Sequence, residues 1–69
     1  MDRPDWATAP SYAEYAAQSR NGIWHWFDRL PKIYGLSWQA DYDSRYCRAL
    51  AGKPNPDWAE TLELRRGAK

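Results

Sequence analysis

The sequence predicts an α+β fold, a small antiparallel sheet of three to four strands built on a hairpin at Asn21-Gly22 and closed by a short C-terminal helix. Three observations carry this expectation. An Asn-Gly pair readily adopts the positive φ angles of a type I′ turn, whose twist matches that of the strands it joins. The segment after it, Ile23-Trp24-His25-Trp26-Phe27, is rich in the aromatic and β-branched residues that suit a pleated surface. Near the other end, Asn55-Pro56-Asp57 offers an N-cap, a proline for the first helical position and an acid opposing the helix dipole.

Each element follows in order along the chain. Residues 1–10 read as an extended arm bracketed by Pro4 and Pro10, with Trp6 expected to fold back onto the sheet rather than stay in water. Residues 12–19 read as the first strand. The rival reading is a helical turn, since Ser11 and Glu14 have capping-box spacing. With a two-residue turn, Gln18 faces His25 and Ala17 faces Trp26. One sheet face then carries Tyr15, Ala17, Ser19, Trp24 and Trp26, the expected core face. The other carries Glu14, Gln18, Arg20, Ile23, His25 and Phe27. A loop one residue longer reverses that pairing.

Leu30-Pro31 ends the second strand, and residues 32–36 read as a loop bending at Gly35. Residues 37–40 suggest a third strand that brings Trp38 to the same core, and 41–44 a polar turn. Residues 45–51 alternate as a fourth strand would, with a helix capped by Ser44 as the rival reading. Gly52-Lys53-Pro54 breaks either one. In the helix expected over 55–66, Trp58, Leu62 and Arg65 share a face.

Sixty-nine residues allow one domain with a small core. Cys47 is the single cysteine, so no internal disulfide forms, and one His with one Cys does not make a structural zinc site. Core mass must come from five Trp, five Tyr and one Phe, each ring burying about 150–250 Å². Oligomerisation is the other route. A net charge of +1 argues against a nucleic-acid binder driven by bulk electrostatics. No apolar run reaches the roughly 18 residues of a membrane span, and the N-terminus lacks a signal-peptide layout. With a lone thiol, the expected compartment is a reducing cytoplasm.

Candidate sites compete with plainer readings. Trp24 and Trp26, about 7 Å apart on one face, could stack bases but serve better as core. On the opposite face, Gln18, Arg20, His25 and Phe27 would combine an amide, a cation, a titratable ring and an aromatic, the residue types of binding hot spots. Arg45 heads a basic group with Arg48, Lys53, Arg65, Arg66 and Lys69 that could meet an anion, or simply form a solvated face. Those five, Gln18, Arg20, His25, Phe27 and Arg45, are the expected binding residues. His25 as a catalytic base lacks a placed nucleophile, although Glu14 and Asp28 are near in sequence. Asp41, Asp43 and Asp57 lack the ligand count of a calcium loop. Cys47 reads as a half-buried strand residue. No enzyme activity, cofactor or metal is expected.

Taken in order, Asp5-Trp6-Ala7-Thr8-Ala9-Pro10, Tyr15-Ala16-Ala17-Gln18, Gly22-Ile23-Trp24-His25-Trp26 and Trp58-Ala59-Glu60-Thr61-Leu62-Glu63-Leu64-Arg65 resemble the small Trp-rich proteins of tailed phages and prophages. That family runs as a Trp-x-x-Ala-Pro opening, a Tyr-x-Ala strand, a Gly-x-Trp-x-Trp strand and a closing Trp-x-x-Ser-Leu-x-x-Arg, where this chain has Thr61 for the serine. Residues 42–53 depart most. The resemblance implies a phage origin, a small β-rich fold and no established activity. It also implies, by analogy with phage accessory proteins, a host-takeover or anti-defence inhibitor that binds a host protein in the host cytoplasm. The alternative is a protein that sequesters a nucleotide signal between aromatic rings and arginines. A direct DNA mimic would be far more acidic.

Overall fold

In a computed structural model, residues 3–65 are described. They form six strands, β1 (Tyr15–Gln18), β2 (Ile23–Phe27), β3 (Lys32–Tyr34), β4 (Ser37–Gln39), β5 (Tyr46–Ala51) and β6 (Glu63–Leu64). Two 3₁₀ turns, Trp6–Thr8 and Trp58–Glu60, complete the inventory. The principal sheet is antiparallel, in the order β5-β2-β1-β6. A separate two-stranded hairpin, β3-β4, is inserted between β2 and β5.

The expected α+β class is therefore corrected to an all-β arrangement, and the helix over 55–66 does not form among the described residues; Arg66 lies outside them. Its start is as the cap residues suggest, with the Asn55 side chain accepting from the Asp57 N–H at 2.9 Å. The backbone then closes as i to i+3 turns, Glu60 N–H to Asp57 and Thr61 N–H to Trp58. Propagation stops at Thr61. Its hydroxyl donates to the Trp58 carbonyl at 2.7 Å and accepts from the Gln18 N–H at 2.8 Å. The chain is thereby tied to the open edge of β1, where Leu64 pairs with Tyr15 and Glu63 with Ala16. Filling an edge strand's hydrogen bonds outweighs the modest propensity of one short helix.

The central hairpin has a three-residue loop. Tyr15 pairs with Phe27, Ala16 with Trp26, Ala17 with His25 and Gln18 with Trp24, one residue away from the two-residue-turn register. The physical reason lies in Asn21. Among the described residues no non-glycine residue takes a positive φ, so a type I′ turn is not made. Instead the Gly22 N–H reaches the Ser19 carbonyl at 2.9 Å, Gly22 alone is left-handed at φ +95°, and the Asn21 carboxamide oxygen accepts from the Ile23 N–H. The expected core face keeps Trp24 and Trp26 but exchanges its β1 residues: Ala16 and Gln18 lie with the tryptophans, while Tyr15, Ala17 and Ser19 lie with His25 and Phe27.

Both faces of the sheet are covered. On the Trp face, Ala13, Ala16, Trp24 and Trp26 form a buried cluster, with Trp6, Ala9, Cys47, Ala49 and Leu50 packed against it. Trp6 sits 4.8 Å from Trp26. Ala49 is the extra residue of a β-bulge, since Trp24 pairs with Leu50 but His25 with Arg48. On the second face, Ala17 and Phe27 are buried under the β3-β4 hairpin. Residues 32–36, expected as a loop, supply β3 and a tight connection in which Gly35 alone takes a positive φ (+66°), as a type II′ turn requires. The hairpin is anchored by the Trp38 N–H on the Ser19 hydroxyl and the Arg20 N–H on the Leu36 carbonyl. The rival strand and helix readings of residues 45–51 resolve to strand. Among the described residues, no helix is long and apolar enough to cross a membrane.

Candidate ligand cavity

Because the β3-β4 hairpin folds over the second sheet face, His25 and Phe27 face β4 rather than solvent. Between the second sheet face and β4 lies a cavity of about 300 Å³. One wall is His25, Phe27 and Tyr46, the other is residues 37–40, and Ser19 and Asn21 close an end. The wall is an aromatic triad. Phe27 and Tyr46 stack at 6.4 Å with 23° between planes, and His25 lies 6.1 Å from each. Trp38 spends its indole N–H on the Trp58 carbonyl at 3.4 Å and meets the Trp58 ring edge-on, so its contribution to the cavity is ring surface.

Burial, and secondarily the positive charge of Arg48, push the His25 pKa below its ordinary 6.5. Its imidazole is neutral at pH 7, with one nitrogen able to donate and the other to accept. Neither makes a hydrogen bond to the described residues. A second depression, lined by Arg20, Leu36 and Pro54, shares Ser19, Asn21 and Ser37 with the first.

The five expected binding residues are not brought together. His25 and Phe27 share the cavity, but Phe27 is 1 % exposed and presents no surface patch. Gln18 is on the opposite face and buried. Its amide donates to the Gly22 and Lys53 carbonyls, and its oxygen accepts from the Asn55 side chain, so it ties the hairpin loop to the connection after β5. Arg20 is exposed in the hairpin loop beside the second depression. Arg45 lies elsewhere, over the Tyr12 ring at 5.5 Å, its N–H on the Asp28 carboxylate. Tyr46, Trp38, Gln39 and Asn21 are among the cavity residues that the sequence does not mark as binding residues. Tyr46 was legible only as one phase of an alternating strand, because its pairing with Phe27 depends on a register no local signal fixes.

His25 and Cys47 do not form a catalytic pair, since Cys47 pairs with Trp26 and points to the Trp face. There the neighbouring Cys47 thiol, with burial adding to it, pushes the Tyr12 pKa above its ordinary value. Asp28 serves the Arg45 backbone rather than His25. Among the described residues no group of three or more His, Cys, Asp or Glu side chains is disposed to hold a metal ion. No family model matches the chain, and neither a curated protein nor a solved structure matches it.

Proposed function

We propose that this chain is a non-catalytic, phage-encoded accessory protein that inhibits a host protein by docking on it through the β3-β4 hairpin. One observation carries the reading. Of the seven large apolar side chains exposed among the described residues, Leu30, Ile33, Tyr34 and Leu36 fall within seven positions, at 49–76 % exposure. A protein this short of core mass has every reason to bury such residues, and contiguous exposed apolar surface is characteristic of interaction sites. The motif order shared with Trp-rich phage proteins supports the phage and anti-defence parts of the reading, with the host cytoplasm as its place of action. The partner surface is a concave apolar site able to receive a hairpin tip, with Tyr34 as the amphipathic anchor.

The buried position of Phe27 makes Phe27→Ala a test of the core, not of binding. The test is instead Ile33→Ser with Tyr34→Ser, both on exposed positions, in a tagged protein presented to host lysate. A stoichiometric host protein retained by the unaltered chain is lost, or held at least about tenfold more weakly, with the double variant at unchanged melting temperature. Equal retention by both proteins rules the hairpin out as the docking surface.

A further inference from the structure

We propose that the cavity between β2, β5 and β4 binds the base of a mononucleotide, with Arg20 meeting its phosphate. The site shares only Leu36 with the exposed hairpin surface and does not depend on that reading.

At about 300 Å³ the cavity lies at the small end of ligand sites, enough for one ring system and part of a sugar. Its walls are what a nucleobase seeks: His25 and Tyr46 on one side, with the buried Phe27 packed behind them, and Trp38 on the other offer π surfaces of no sequence preference. The polar groups suit a base edge, which carries donors and acceptors together. The His25 nitrogens are unpaired among the described residues, and Asn21 has committed only its oxygen, leaving its NH₂ group to donate. Gln39 uses its NH₂ on Ser37 and keeps its carbonyl oxygen as an acceptor. A purely apolar side chain of a protein partner would leave these groups unsatisfied, which disfavours that occupant.

Charge identifies the rest of the ligand. The second depression shares Ser19, Asn21 and Ser37 with the cavity and is lined by Arg20. Arg20 has no ion pair or side-chain hydrogen bond among the described residues, and neither has Arg48 beside His25. An unpaired guanidinium adjoining an aromatic slot matches a phosphate linked to a base. A net charge of +1 provides no track for a polymer backbone, so a single nucleotide rather than a strand is the fitting ligand.

The test is calorimetric titration of the full chain with AMP, GMP, CMP and UMP, with the matching nucleosides, and with inorganic phosphate. At least one nucleotide is expected to bind with a Kd below about 1 mM, its nucleoside about tenfold more weakly. Arg20→Ala abolishes the difference between nucleotide and nucleoside. Tyr46→Ala, at a position 60 % exposed and so tolerant of truncation, weakens the nucleotide about tenfold while circular dichroism is unchanged. The proposal is overturned by no binding of any nucleotide up to about 10 mM, by phosphate alone binding as tightly as nucleotide, or by unchanged affinity in both variants. Loss of a host protein on Tyr46→Ala, with no nucleotide bound, also overturns it and assigns the cavity to a partner's side chain.

Discussion

A methyl group added at Gly22 would press on the backbone of Gly52 and lie 2.6 Å from the Lys53 carbonyl oxygen, at a φ of +95° that L-residues rarely adopt. Two costs coincide there, because the Gly52 N–H is bonded to the Gly22 carbonyl at 2.8 Å and the loops are therefore held together. Gly22→Ala is expected to destabilise by about 3 kcal/mol, read from urea unfolding; a loss under about 0.5 kcal/mol would mean the loops separate freely. His25 gives a second residue-scale expectation. Its pKa is lowered in the folded chain, so as pH falls the unfolded chain takes up this proton first. The His25 contribution is complete above about pH 6.5 and is lost progressively below it, until the folded imidazole itself protonates. Melting temperatures of the unaltered chain should fall between about pH 7.5 and 5.5, and His25→Gln should reduce that fall. Parallel curves for the two proteins would contradict it.

At the scale of elements, β1, β2 and β5 are legible because runs such as Ile23–Phe27 combine aromatic content with a flanking turn signal. The β3-β4 hairpin was half legible. In the sequence, residues 37–40 read as strand and Gly35 as a bend, but Lys32–Tyr34 is three exposed residues whose partner is simply the next strand. The C-terminal segment failed for a different reason. Asn55, Pro56 and Asp57 are sound local helix signals and do start a turn. The decision belongs to Thr61 and the vacant edge of β1, which are 43 residues apart in the Gln18–Thr61 hydrogen bond. The same remoteness explains the candidate site. His25 and Phe27 could be named from the strand, whereas Gln18 and Arg45 were misplaced because one residue of hairpin register and a 17-residue excursion from Asp28 to Arg45 set their faces.

Across the whole molecule, the two ends of the described chain lock each other. Trp6 donates its indole N–H to the Glu63 carboxylate at 3.0 Å, Arg3 pairs with the same carboxylate at 2.7 Å, and the Arg65 guanidinium donates to the Ala13 carbonyl at 2.7 Å beside the Trp6 ring. This clasp covers Trp26, and the resulting Cα radius of gyration, 11.0 Å, is that of a compact single domain of this length. Trp6→Ala is expected to cost about 3 kcal/mol, a large share of a small domain's stability, and to lower the melting temperature by more than about 10 °C. A shift under about 3 °C would show that the arm is a passive cover. By itself the sequence determined the aromatic core with Trp24 and Trp26 at its centre, the central hairpin and the Trp6 ring folded back onto the sheet, because these follow from composition and from signals a few residues long. Only the tertiary structure decided the hairpin register, the strand in place of the C-terminal helix and the cavity under β4. Each of these depends on which distant backbone groups and faces are left to be satisfied once the central sheet has formed.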